Sequence, residues 1–245
     1  MKPALTILTG ASRGLGLALA RQLLQRGDRL LTMSRRAPPL NHPALTAWTL
    51  DLADPVPAAA RLAEWLAGVD PAFVASVTLV NNAGVVSKPA PLADGDVAEL
   101  SNALRVGLEA PLLLSAAFLR ATAAWAVPRR LLFVSSGLGR RAMAGSASYC
   151  AAKAGMDHLA RAIALEEAAR PNGARVVSLA PGVIDTDMQV QLRSADPAAF
   201  PERERFVGLK AAGQLDSPET AAAKVLGYLE RADFGSAPIG DVRDA

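Results

Sequence analysis

Cysteine, histidine and aromatic residues are scarce in this chain of 245: one Cys, two His, and 4% Phe, Trp and Tyr together. The lone Cys150 excludes an internal disulfide and fits a reducing compartment, so a cytoplasmic location is expected. Beside Tyr149 on a helix it reads as a small buried residue rather than a reactive thiol. His42 and His158 have no Cys, His or Asp cluster at ligand spacing, which leaves a metal site without support. Few aromatics and a net charge of only +3 argue against nucleic acid as a partner. No unbroken apolar run reaches the ~18 residues of a membrane span. The opening MKPALTILTGAS meets glycine too early for a signal peptide.

What the chain has in quantity is aliphatic side chains, within a hydrophobic share of 51%. Strands are predicted over Ala4–Thr9, Leu30–Ser34, Leu45–Leu50, Phe73–Val80, Leu131–Ser135 and Ala174–Ala180. Helices are predicted over Leu15–Arg26, Val56–Ala67, Asp96–Ala126, Ala147–Arg170 and Ser217–Arg231, with Pro111 an irregularity in the long one. This alternation predicts an α/β fold with a doubly wound parallel sheet, a Rossmann fold, as a single domain over 1–245. The polar, proline-containing segment Met188–Leu215 stands outside the alternation. It reads either as a lid over a site or as a surface excursion.

The first strand runs into Gly-Ala-Ser-Arg-Gly-Leu-Gly, with Gly10, Gly14 and Gly16 spaced G-x-x-x-G-x-G around Ser12, Arg13 and Leu15. A strand, a glycine turn and a helix let backbone N–H groups approach a pyrophosphate at the helix N-terminus, although an ordinary glycine turn has the same composition. The second strand ends at Ser34, followed by Arg35 and Arg36. An NAD site places an acidic residue here for the ribose 2′-hydroxyl. Instead two guanidiniums are present, with Arg13 in the glycine turn, and Arg forks suit a 2′-phosphate. NADP(H) is therefore the expected cofactor, a solvated basic turn being the alternative. The glycine turn, Arg35, Asp51, Asn82, Ser136 and Pro181 all fall at carboxyl ends of predicted strands, the edge where open α/β sheets bind ligands.

Tyr149 and Lys153 stand four apart, neighbours on one helical face. A phenol titrates near ~10 in water, and an adjacent ammonium is expected to lower that value. Tyr149 then acts as general acid or base, while Ser136 hydrogen-bonds the same reacting oxygen.

Together, TGASRGLG at Thr9–Gly16, Asp51-Leu52, NNAG at Asn81–Gly84, Ser136, Tyr149-x-x-x-Lys153 and Pro181-Gly182 resemble the short-chain dehydrogenase/reductase family over nearly the whole chain. The thirteen-residue interval from Ser136 to Tyr149 is the family's usual one. The resemblance implies that Tyr149 protonates a carbonyl oxygen as hydride arrives from the nicotinamide. Lys153 would hold the ribose hydroxyls and depress the tyrosine pKa, and Ser136 would polarise the carbonyl. It also implies that Asn82, Ala83 and Gly84 line the adenine–ribose side, with Asp51 and Leu52 also binding cofactor. Pro181, Gly182, Val183, Ile184 and Thr186 would hold the carboxamide. The C-terminal part, through Phe206-x-x-Leu209, Gly213-Gln214-Leu215 and Phe234–Asp241, is similar to the sepiapterin reductase-like and benzil reductase-like carbonyl reductases, where an acidic residue faces substrate. Asp241 is the candidate, a solvent-facing carboxylate the alternative.

One departure stands out. The family's helical asparagine, which anchors a water relay to the lysine, is replaced by Gly107 in Val106-Gly107-Leu108-Glu109-Ala110-Pro111. That substitution motivates a rival reading, a non-catalytic NADP-binding regulator or scaffold. The leading expectation is an NADPH-dependent reductase of a ketone, diketone or pteridine side-chain carbonyl. Arg140 and Arg141 either steer an anionic substrate or form a solvated loop. Ala151, Ala152, Ala154 and Gly155 make a small helix face that permits close approach; by resemblance this helix helps form a homo-oligomer, a dimer or tetramer.

Overall fold

In the computed structural model, which describes residues 2–244, the chain builds a seven-stranded, fully parallel sheet. The strands are β1 (Leu5–Thr9), β2 (Arg29–Ser34), β3 (Leu45–Thr49), β4 (Val77–Asn81), β5 (Arg129–Val134), β6 (Arg175–Ala180) and β7 (Ile239–Asp241). Their order is β3-β2-β1-β4-β5-β6-β7, so the chain reverses direction across the sheet between β1 and β4. Side chains alternate across the pleat. Leu5 and Ile7 of β1, with Leu79, Leu131 and Phe133, enter one core, and Leu8, Val80, Leu132 and Val177 enter the other. Helices α1 (Gly14–Gln25) and α8 (Pro218–Glu230) cover the second core. Helices α2 (Pro55–Ala67), α4 (Ala110–Ala121) and α5 (Ala147–Ala168) cover the first. A sheet buried on both faces explains why its strands read as aliphatic runs.

Four departures from the predicted elements have identifiable causes. The stretch predicted as a strand from Phe73 begins only at Val77, because Asp70 caps a short 3₁₀ turn at Pro71–Phe73 by accepting from the Ala72 N–H at 2.8 Å. The single helix predicted over Asp96–Ala126 is α3 (Val97–Leu104), a π-helical turn at Arg105–Glu109, and α4. Pro111 has no N–H for the Gly107 carbonyl four residues back, and the widened turn accommodates it. The stretch Val97–Ala121 is long and apolar enough to cross a bilayer by composition, yet half of its most apolar window is buried in the core. β7, absent from the predicted strands, is three residues pairing Ile239 with Ser178, too short to show a period. Finally, the segment Met188–Leu215 folds largely into α6 (Asp187–Arg193) and α7 (Arg203–Ala211). These pack with Leu138 and Met143 around Phe200 and Phe206, whose rings stack at 5.8 Å.

Part of the small face of α5 is used inside the chain. A Cβ on Gly107 would stand 3.0 Å from Ala152 Cβ, and one on Gly155 would stand 2.8 Å from Leu108 Cδ2. Ala151 and Ala154 remain exposed.

Candidate active site

Two adjoining cavities open along the carboxyl edge of the sheet, beside the point where strand order reverses. The larger, about 430 Å³, is lined by Gly10, Ser12, Arg13, Gly14, Leu15 and Gly16, by Ser34, Arg35 and Arg36, by Asp51 and Leu52, and by Asn82, Ala83 and Gly84. These are the residues the sequence assigns to the adenosine and pyrophosphate half of a cofactor. The turn is locked locally. Thr9 Oγ1 accepts from the Asn82 and Ala83 N–H groups at 2.9 Å, and Asn82 Nδ2 donates to the Thr9 carbonyl at 2.9 Å. Gly10 takes φ +72°, and a Cβ on Gly16 would stand 2.1 Å from the Gly10 carbonyl oxygen, so both positions require glycine. Arg13 precedes α1 with no side-chain cap and no acidic residue in the first turn, leaving the helix N-terminus free for an anion. Ser34 is engaged inward, accepting from the Ala11 N–H at 2.9 Å, while Arg35 and Arg36 are exposed beyond it. The cradle therefore fits a dinucleotide, with two exposed guanidiniums at the end of β2.

The second cavity, about 330 Å³, is lined by Ser136, Tyr149 and Lys153, by Pro181, Gly182, Val183, Ile184 and Thr186, and by Asp241. It shares Leu15, Asn82, Gly84, Thr186 and Met188 with the first. Strand β5 ends beside Ser136, whose extended backbone caps a 3₁₀ turn while its Oγ accepts from Leu138 N–H at 3.2 Å. That leaves the hydroxyl proton for another acceptor. Helix α5 brings Tyr149 and Lys153 together, Nζ lying 5.6 Å from the phenol ring centroid. Nζ donates to the Val134 carbonyl at 2.6 Å.

The expected acidification of the phenol does not appear. Burial pushes Tyr149 up to about 12, against a smaller lowering by the Ser136 hydroxyl. Burial likewise pulls Lys153 down to about 8, partly offset by the carboxylate of Asp157. The ammonium donates to the Val134 carbonyl, and burial is the largest influence on the phenol.

Asp157 is a residue the sequence reading missed. It is 1% exposed, and its Oδ1 accepts from the Ser135 and Ser178 hydroxyls, both at 2.6 Å, while Arg140 Nε lies 3.3 Å from Oδ2. It ties β5 and β6 to α5 behind the site. The signal was available: Asp157 stands one further turn along the Tyr149–Lys153 face. Asp241 does line the cavity, but it is paired rather than free: it accepts from Arg243 Nε at 2.8 Å and Nη2 at 2.6 Å, which holds its carboxyl below the usual range. Met188, Gln189, Leu192, Phe206 and Leu209 close the cavity from α6 and α7. Asn102, which does not align with the family's asparagine, lines the cofactor groove.

The short chain dehydrogenase family matches residues 4–197. The chain belongs to that family. As a member it is an oxidoreductase of a class that uses nicotinamide cofactors. It is 33% identical over 244 residues to a benzil reductase, (S)-benzoin forming, from Bacillus cereus, covering 96% of each chain. It is 34% identical over 263 residues to sepiapterin reductase of Meriones unguiculatus, covering 98% of this chain and 97% of that one. A 2-deoxy-D-gluconate 3-dehydrogenase candidate from Agrobacterium tumefaciens, solved with NADP bound, superposes with a TM-score of 0.78 at 26% identity, covering 99% of this chain and 95% of that one.

Proposed function

We propose that this short-chain dehydrogenase reduces a ketone, diketone or pteridine side-chain carbonyl with NADPH. The observation that carries the reading is the placement of Ser136, Tyr149 and Lys153 on one cavity that joins the dinucleotide cradle. The names of the benzil and sepiapterin relatives support the substrate class, and the NADP in the Agrobacterium neighbour supports the cofactor.

The nicotinamide supplies the hydride when it is bound. The chain's own residues do the rest. The glycine turn and the start of α1 hold the pyrophosphate, Arg35 and Arg36 hold the 2′-phosphate, and Lys153 holds the ribose hydroxyls. Ser136 and Tyr149 donate hydrogen bonds to the substrate carbonyl oxygen. Tyr149 gives up its proton as negative charge develops there. With its pKa raised to about 12, the phenol is protonated at any physiological pH. Lys153, at about 8, is mostly cationic at pH 7 and stabilises the phenolate left behind.

Gly107 is the feature that favours the rival reading, a cofactor-binding protein without turnover. Glycine has a packing reason there, however, since a Cβ would press on Ala152 at 3.0 Å. The deciding experiment measures NADPH and NADH oxidation with benzil, sepiapterin and simple aldehydes. Tyr149→Phe is expected to bind NADPH normally and lose roughly 10²–10⁴ of turnover. Unchanged turnover in that variant removes the mechanism. Cofactor binding without any oxidation by the wild type establishes the rival.

A further inference from the structure

The charge lining the substrate cavity is unbalanced. Four cationic side chains, Arg141, Lys153, Arg205 and Arg243, face one carboxylate, Asp241. That carboxylate is already forked by Arg243. Arg205 has one carboxylate partner, Glu202 at 3.5 Å, on its own solvent-exposed helix end. Arg141 is exposed and makes no ion pair among the described residues, the nearby carboxylates of Asp157 and Asp241 lying instead by its neighbour Arg140 at 3.3 and 3.9 Å. It lies close to the reacting centre: its backbone N–H donates to the Gly137 carbonyl at 3.1 Å, and its Nε lies 4.0 Å from where a Gly137 Cβ would stand. Gly137 follows Ser136 directly. The cofactor accounts for Lys153, which holds the ribose hydroxyls, but not for Arg141 or Arg205, since its cradle has Arg35 and Arg36 in the other cavity, beside an Arg13 already paired with Asp187 at 2.6 Å. The residues common to the two cavities include no cation.

Resting on the reductase reading above, we propose that the substrate is a carbonyl compound with an apolar body and a carboxylate, the carboxylate being held by Arg141 with Arg205 at the cavity mouth. The walls supply the apolar part of the match, through Leu138, Leu192, Phe206 and Leu209. A guanidinium fork is the side chain that pairs a carboxylate at two points. A cleft with apolar walls concentrates the attraction and raises the encounter rate with anions. Neither neutral benzil nor a neutral pterin uses this charge.

The test compares benzil-4-carboxylate with benzil-4-carboxamide, which present the same diketone and differ in charge at the far end. The readout is the ratio of their kcat/KM values with NADPH, in which any loss of folded protein cancels. Wild type is expected to prefer the carboxylate by roughly tenfold at low salt, a preference that shrinks as salt screens it. Arg141→Gln is expected to remove most of that preference through KM, with Arg205→Gln removing less. A ratio near one in the wild type, or a preference untouched by both substitutions and by salt, overturns the proposal while leaving the reductase reading intact. Failure of both compounds overturns the proposal, and failure of benzil, sepiapterin and simple aldehydes as well removes the reductase reading with it.

Discussion

Strand β5 meets a buried cation at each end, Arg129 of its own and Lys153 of α5, and the two are handled in opposite ways. At its first residue, Arg129 is 3% exposed and its donors are met from several sides: Nε by Thr122 Oγ1 at 3.0 Å, Nη2 by the Leu119 carbonyl at 3.0 Å, and Nη1 by the Asn172 carbonyl at 2.8 Å and Glu167 at 3.3 Å. At its last residue, the Val134 carbonyl accepts from Lys153, 4% exposed, whose other donors face a cavity. Arg129 has no room for a ligand, and its network serves only to hold α4, α5 and β5 together. Lys153 is under-partnered within the chain, the condition of a group waiting for something to bind. Burial of charge is therefore structural at the amino edge of the sheet and chemical at the carboxyl edge.

The largest expected effects separate these two roles. Arg129→Met leaves Glu167 with Arg170 at 3.1 Å and the Ala174 N–H at 2.8 Å as its partners and is expected to cost about 3 kcal/mol of stability. Turnover per folded molecule should stay near the wild-type value. Lys153→Met should do the reverse, lowering kcat by roughly 10²–10³-fold with no loss of stability. Denaturant titrations and steady-state kinetics on both variants check the contrast. If Lys153→Met unfolds the protein as readily as Arg129→Met, the distinction between the two ends fails.

A second expectation uses pH. Lys153 has a folded pKa of about 8 against an ordinary value of 10.5. Between these the unfolded chain binds the extra proton, so stability contributed through Lys153 rises as pH rises, and below about 8 the buried charge costs a constant amount. Reductase kcat/KM needs the ammonium and should fall above about pH 8. Stability, taken as wild type minus Lys153→Met, should climb over the same window, between pH 8 and 10. The Asp157 carboxylate raises the Lys153 pKa, so Asp157→Asn should move the activity limb to lower pH. An alkaline limb that stays in place in Asp157→Asn sinks this account of the lysine.

How much of this was legible in the sequence depends on the range of the cause. The glycine turn, the strand ends and the Tyr149–Lys153 spacing are local patterns, and each landed where the pattern placed it, on one of two joined cavities. What the sequence hid was long-range. β7 exists only because β6 offers it a partner. The helices α6 and α7 are stabilised by packing on Phe200 and Phe206 rather than by any clear periodicity of their own. The rise in the Tyr149 pKa came from enclosure, which depends on residues from β5, β6 and α6 converging on one point. Spacing said that the ammonium was near; only coordinates give the direction it faces and the weight of the surrounding wall.

The smallest expected effect sharpens the contrast on the Lys153 side, at the residue next to it. Gly107 lies in the π-helical turn, and an added Cβ would meet Ala152 Cβ at 3.0 Å, closer than ordinary van der Waals contact. Gly107→Ala gains up to ~1 kcal/mol of helix propensity but is expected to lose about 1–3 kcal/mol by overpacking, a net destabilisation of around 1 kcal/mol. Because Ala152 precedes Lys153, relief of the contact by moving α5 also shifts Tyr149 and Lys153, and small misplacements of reacting groups are costly in rate. Gly107→Ala should therefore lower kcat more than its stability loss suggests, and adding Ala152→Gly should restore the rate by removing the opposing methyl. A double-mutant cycle in both stability and kcat measures the coupling between the two positions. Coupling near zero means that glycine at 107 is not there to let α5 approach, and the position of Lys153 must then be set elsewhere, by Val134 and Asp157 alone.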